Sequence, residues 1–194
     1  MKYILKQAFV PLLYSFFFSM LGLGIMTIEE KFFVLELCLN ILNVLFYLFV
    51  ISVASFKDGQ KALDVRETND KKREAIAKTG QDIPLNLQEE YKLWKGFVYG
   101  AVSCAPMVIL LILHALFSIG GGPKGFGMIG GILYMPVFSF VLTFLSHLNN
   151  FYYFGLLAIP VISLTTGLTY KLGADFAYRK YQSLAETRRF YEGE

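Results

Sequence analysis

Long apolar stretches alternate with short polar breaks along this chain of 194 residues. A helix of about 20 apolar residues is long enough to cross the hydrocarbon core of a bilayer. Four stretches meet that length: 7–27, 32–55, 97–119 and 151–170. A fifth stretch, 127–145, is also apolar but is interrupted by Gly127, Gly130, Gly131 and Pro136. The pattern predicts an all-α integral membrane protein.

The composition supports this class. Only 17% of the residues are charged, whereas about a quarter are charged in soluble domains. The first apolar run is longer than the core of a signal peptide and lacks a small-residue cleavage site, so we expect it to be retained as a span. Both cysteines, Cys38 and Cys104, lie in apolar stretches at different predicted depths, so we expect no disulfide.

The positions of lysine and arginine predict the orientation, because cytoplasmic flanks retain positive charge. Lys2 and Lys6 precede the first span, nine cations lie in residues 57–95, and five follow the last span. With the tail in the cytoplasm, sixteen of the 18 cations face inward; with the tail outside, only eleven do. We therefore expect both termini in the cytoplasm, and the composition is typical of the bacterial inner membrane.

This orientation requires that residues 120–150 enter and leave the membrane on its outer side. Glycine and proline permit a re-entrant or short membrane hairpin, which is tolerated where protein buries its backbone. We predict four full transmembrane helices plus this hairpin; the alternative is five spans with an external tail. The predicted regions are transmembrane helices 1 and 2 (1–56), a cytoplasmic helical connector (57–95), the third helix, outer-facing hairpin and last helix (96–172), and a basic amphipathic cytoplasmic tail (173–194).

The connector, residues 57–95, is predicted to form a cytoplasmic helical hairpin. Residues 61–79 are rich in helix formers, and Gly80 is a helix stop. A second helix, 86–95, is expected to run into the third span, with Trp94 at the membrane interface. Because this pair has few large apolar residues, it is either a solvated connector or a docking surface for a partner.

The second span carries a polar stripe, formed by Glu36, Asn40, Asn43 and Tyr47. Their i, i+4, i+7, i+11 spacing places them on one narrow face, since each helical residue turns about 100°. Ionisable groups inside a membrane are costly and face protein or water. We therefore expect the stripe to face the bundle interior or a partner, as packing or as an ion or solute site.

The third span has a matching face. Gly96, Gly100 and Cys104 are predicted helix-packing positions, because small residues let helices approach closely. Ser103 and His114 extend this face toward the outer end, and His114 is expected at the same depth as Glu36. The two groups would then pair, bind a cation or relay protons. A re-entrant hairpin would add three more polar residues to this cluster: His147, Asn149 and Asn150.

The sequence contains no motif for an enzyme, and the glycines at 120–131 lack the Gly-Lys-Ser/Thr of a phosphate loop. We expect no cofactor, no metal site and no nucleic-acid partner. The leading interpretation is a non-enzymatic subunit or accessory of a larger membrane complex. It would contact membrane lipid, and protein partners through residues 57–95 and the polar stripe. The alternative is a small oligomeric channel or ion-coupled transporter that uses Glu36, Asn40 and His114; a membrane enzyme ranks third.

Overall fold

A computed structural model describes residues 2–25, 32–119, 129–130, 134, 136–137 and 151–192. The elements are α1 (Lys2–Ile25), α2 (Phe33–Thr79), α3 (Leu93–Ser103), α4 (Ala105–Ile119), a 3₁₀ segment (Phe151–Leu157) and α5 (Ala158–Glu192). Among these residues there is no strand. Three helices are long and apolar enough to cross a membrane, or four if the bent pair α3–α4 is one span.

The prediction of an all-α protein with several membrane-length helices is therefore confirmed, whereas the number of crossings stays a prediction. Parts of the expected topology lie outside the described residues. These are residues 26–31 between the first two spans, most of the hairpin at 120–150, and the polar residues His147, Asn149 and Asn150.

Helix α2 has 47 residues, so it is about 70 Å long, more than twice the hydrocarbon thickness of a bilayer. Its apolar part ends at Phe56, after 20 consecutive uncharged residues, and Lys57 begins a charged half. The helix ends at Gly80, whose φ is 67° and whose N–H donates to Ile76 O at 2.8 Å. Gly80 is thus confirmed as the stop, but the second span and the first arm of the connector are one helix.

Helix α5 is likewise continuous. Its 35 residues span about 52 Å, and they join the last predicted span to the basic tail. The first charged residue after the apolar part is Lys171. We call the charged halves of α2 (57–79) and α5 (171–192) the projecting pair.

The second arm of the connector differs from the prediction. Residues 86–92 are not helical, and α3 begins only at Leu93. Residues 81–92 form a strap that returns along α2, where Tyr91 N–H donates to Ala62 O at 3.0 Å. These long-range contacts replace the local bonds of a helix, and sequence periodicity does not report them.

Within the described residues, the units α1, α2, α3–α4 and 3₁₀–α5 form a bundle in which successive units run in opposite directions. At one end, Gln7 Nε2 donates to Asp58 Oδ1 at 3.2 Å, and Lys95 Nζ lies 5.4 Å from the centre of the Tyr3 ring. At the other end, the rings of His114 and Tyr153 have centroids 6.2 Å apart. The chain therefore leaves α4 and re-enters the 3₁₀ segment at the same end of the bundle.

Helices α2 and α5 run parallel and touch at two glycines. A Cβ atom added at Gly59 would lie 2.0 Å from Tyr170 O, and one added at Gly173 would lie 2.0 Å from Phe56 O. Backbone thus packs directly on backbone at the level where α2 acquires its charges, an approach that only glycine permits. This contact joins the membrane part of the bundle to the projecting pair.

We predict that Gly59→Ala destabilises the protein by about 1–3 kcal/mol, the usual cost of forcing a methyl group into filled space. The matched control is Gly24→Ala, because a Cβ atom there has nothing within 4 Å. Thermal unfolding in detergent measures both variants. Equal midpoints for Gly59→Ala and Gly24→Ala would contradict the close contact.

Candidate functional site

The polar stripe of α2 lies inside the bundle and faces α1. Asn40 and Tyr47 are fully buried, and Asn43 is 6% exposed. Asn43 Nδ2 donates to Phe18 O at 3.0 Å, and the Phe18 ring meets the Tyr47 ring edge-on at 5.9 Å. The stripe therefore contributes hydrogen bonds and ring packing between the first two helices, while Glu36 near its outer end is half-buried.

The third span is broken in the middle of the bundle, between α3 and α4, where the axis bends by 41°. Pro106 accounts for the break, because proline has no N–H and its ring clashes with the carbonyl four residues earlier. At the break, Cys104 N–H donates to Ala101 O at 3.1 Å. The predicted third span, 97–119, is therefore a bent pair of helices that together are long and apolar enough to cross a membrane.

Tyr134, in the apolar stretch 127–145, reaches this break. Tyr134 is fully buried, and its hydroxyl donates to Ser103 O. A Cβ atom at Gly130 would lie 3.2 Å from Leu110 Cβ on α4. Both residues come from the apolar stretch 127–145, so this stretch contributes directly to the core at the level of Ser103.

The structure places His114 and Glu36 toward the same end of the bundle. Tyr47 and Cys104 belong to one buried cluster, and α2 and α4 run in opposite directions from that level. Glu36 is eleven residues from Tyr47 and His114 is ten from Cys104, which is about 15–17 Å along each helix. His114 is 2% exposed, so a buried imidazole and a half-buried carboxyl group share this depth.

The glycine face of α3 packs against α5. A Cβ atom at Gly100 would lie 2.1 Å from Thr166 Oγ1, and one at Gly96 would lie 2.7 Å from Tyr170 Cβ. The close approach lets Thr166 Oγ1 donate to Gly96 O at 2.9 Å. A neighbouring hydroxyl, Ser163 Oγ, donates to Phe97 O at 2.8 Å. Sequence reasoning identified the glycines but missed these hydroxyl donors, because their partners are backbone carbonyls on another helix.

A network of polar side chains ties the strap to α2. Asn69 is 1% exposed; its Oδ1 accepts from Asn86 N–H at 3.0 Å, and its Nδ2 donates to Asn86 O at 3.1 Å. The Arg73 guanidinium group donates to both carboxylate oxygens of Glu90 at 3.1 and 3.0 Å. Both hydrogen bonds come from one nitrogen, Arg73 Nη2, and such charge-assisted bonds are roughly twice as strong as bonds between neutral groups.

Buried Lys95 links the strap to the start of α3. Its ammonium group donates to Gln88 O and Glu90 O, each at 2.7 Å, although the residue is only 5% exposed. An uncompensated buried charge would be costly, and the two carbonyls with the nearby Tyr3 ring offset that cost. The strap and the first turn of α3 are thus held as one unit.

The projecting pair shares an apolar seam. On α5 the seam residues recur at heptad spacing: Tyr170, Ala174, Ala177, Tyr181 and Leu184. The first three are buried at 0, 2 and 6%, whereas Tyr181 and Leu184 are 38 and 50% exposed. The seam therefore continues along α5 beyond Ala62 and Leu63 of α2, which cover its beginning.

A groove of about 260 Å³ opens beside this exposed end of the seam, and its lining includes Asp64, Phe176 and Lys180. Tyr181 Oη donates to Asp64 Oδ1 at 2.6 Å. That hydrogen bond raises the pKa of Tyr181 to about 12, so the hydroxyl stays protonated at physiological pH. The groove thus combines apolar walls with one anionic and one cationic side chain.

No family model matches this sequence, and no curated protein or solved structure gives a significant match. Within the described ranges, no group of three or more His, Cys, Asp or Glu residues could hold a metal ion. The buried polar groups and the projecting pair are the features of the described residues that bear on function.

Proposed function

We propose that this chain is a non-enzymatic multi-pass membrane protein that acts as a subunit or accessory of a larger membrane complex. The observation that carries the proposal is the uncovered end of the α5 seam. Tyr181 and Leu184 continue the heptad pattern of Ala174 and Ala177 but remain 38 and 50% exposed. They lie ten and thirteen residues beyond Lys171, the first charged residue of α5 after the apolar part, which is about 15–20 Å further along the helix.

The partner we propose is a protein segment with an apolar face. Large apolar side chains exposed together outside the membrane mark interaction surfaces. Here the exposed set that lines one groove on α5 is Phe176, Tyr181 and Leu184. Arg179 and Lys180 flank it, so a partner face bordered by acidic side chains is the complementary choice.

The intramembrane polar groups support the same proposal. The Asn43 amide donates to the backbone of α1, and the hydroxyls of Ser163 and Thr166 donate to the backbone of α3. Inside a bilayer, such interhelical hydrogen bonds contribute to helix association, at about 0.6 kcal/mol each. Groups used in this way hold the bundle together.

In this proposal the projecting pair lies in the cytoplasm, together with the start of α1. The support is the distribution of cations, which cluster at this end of the bundle. The contacts of Asp58 with Gln7 and of Gly59 with Tyr170 bring three cation-bearing helix ends to one level. The cell membrane is the proposed location, with both termini inside.

We predict that the protein extracted from native membranes in mild detergent elutes with at least one other membrane chain in fixed stoichiometry. Leu184→Glu should lower recovery of that chain about tenfold, because full burial of a leucine side chain contributes about 1.5–3 kcal/mol. The matched control, Ala77→Glu, adds the same charge to the exposed end of α2. Size-exclusion chromatography with mass spectrometry measures both variants; a wild-type protein that elutes alone would overturn the proposal.

A second candidate is a small oligomeric channel or ion-coupled transporter. The observation that favours it is the burial of Asn40 and His114, at 0 and 2% exposure, in the membrane part of the bundle. Polar groups at that depth commonly mark ion or proton pathways. Glu36, at the same depth as His114, would supply the negative charge that attracts a cation or the carboxyl group that carries a proton.

Flux in proteoliposomes separates the two candidates. Our leading proposal predicts that purified wild-type protein and Glu36→Gln both leave proton and potassium flux at the level of empty liposomes. A transporter that depends on this carboxyl group would show flux above that level in the wild type and lose it in Glu36→Gln. Flux in the wild type that is lost in Glu36→Gln would overturn the leading proposal in favour of the transporter.

A further inference from the structure

Two open grooves run along the membrane face of α2, one on each side of a ridge formed by Phe49 and Val53. The groove on the α1 side has a volume of about 290 Å³ and is walled by Tyr14 and Ala54. The groove on the α5 side has a volume of about 300 Å³ and is walled by Ser52 and Thr169. Phe49, Val53 and Lys57 line both grooves.

Lys57 lies near the inner end of both grooves; on α2, Gln60 of the α5-side groove lies further in. It is the first charged residue after the uncharged run of α2, and it is exposed. A lysine in this position extends its ammonium group into the headgroup layer while its stem covers apolar surface. The neighbouring carboxyl group, Asp58, accepts a hydrogen bond from Gln7 on the α1 side, so it is engaged away from the ridge.

We propose that this surface binds one anionic phospholipid, with its phosphate at Lys57 and one acyl chain in each groove. The two grooves converge on a single cation, just as two acyl chains converge on a single phosphate. Lys61, one turn further along the helix, is exposed and adds a second positive charge near the headgroup. The walls are mainly apolar, as acyl chains require.

The charge beside the ridge argues against a second copy of the chain as the occupant. Phe49 is 64% exposed and Val53 38% exposed, so they stand between the grooves. A two-fold interface uses the same patch on both copies, so pairing through this ridge in one membrane orientation would bring two Lys57 side chains together, and like charges repel. A lipid phosphate instead neutralises Lys57, and its two chains can lie on either side of the ridge.

The first test titrates the full-length protein in detergent with phosphatidylglycerol and measures bound lipid by native mass spectrometry. Phosphatidylcholine with the same acyl chains serves as the uncharged-headgroup comparison. We expect Lys57→Gln to weaken phosphatidylglycerol binding about fivefold, the effect of one lysine at an anionic surface. The control Lys78→Gln removes an equivalent exposed lysine about 30 Å further along α2 and should bind like the wild type.

The second test examines the grooves while keeping Lys57. Ala54→Leu narrows only the α1-side groove, and Ser52→Leu narrows only the α5-side groove, because each residue lines one of them. Each variant should weaken binding of two-chain phosphatidylglycerol but not of its single-chain lyso form. This result would support the placement of one acyl chain in each groove, independently of the charge at Lys57.

Three outcomes would overturn the proposal. Phosphatidylglycerol and phosphatidylcholine could bind alike, or Lys57→Gln could bind like the wild type. In a cysteine-free background, Val53→Cys could form disulfide-linked dimers in membranes at high yield. That last result would assign the ridge to a second copy of the chain.

Discussion

The structure depends on the direct backbone contact between α2 and α5. Gly59 and Gly173 bring these parallel helices together where a Cβ atom would lie 2.0 Å from a carbonyl oxygen of the other helix. The contact sits where the apolar halves end, so it sets the distance between the helices in both their apolar and their charged halves. Glycine weakens a helix, by about 1 kcal/mol relative to alanine, but here it permits a contact that no larger residue allows.

The other elements are arranged around this pair. Gly96 and Gly100 let α3 approach α5 on the side where Thr166 donates to the backbone, and α1 covers the polar stripe of α2 through Asn43. Outside the apolar part, two contacts hold the strap on α2. Asn69 binds the backbone of Asn86, and Arg73 binds the Glu90 carboxylate. The bundle thereby has buried polar residues, an apolar outer surface on the uncharged halves of its helices, and an incompletely covered seam beyond Lys171.

Much of this arrangement could be predicted from the sequence, because it follows from local chemistry. Uncharged runs predicted the membrane helices, and the spacing of Asn40 and Tyr47 predicted a single face. The strap could not be predicted, since Asn69 and Asn86 are far apart in the chain and carry no local signal. The continuity of α2 could not be predicted either. Gly59 lowers the stability of an isolated helix, and it stabilises the fold only through its close contact with Tyr170 on α5.

The central claim is that α2 and α5 leave the membrane together on the same side. Cysteines at Asp64 and Tyr181, in a background without Cys38 and Cys104, test it with a short bifunctional thiol reagent in intact membranes. The side chains of Asp64 and Tyr181 are hydrogen-bonded at 2.6 Å, so we predict efficient crosslinking within one chain. If the tail lay on the opposite side of the bilayer, the two positions would be separated by about 30 Å of hydrocarbon. A complete absence of intrachain crosslinking would contradict the account.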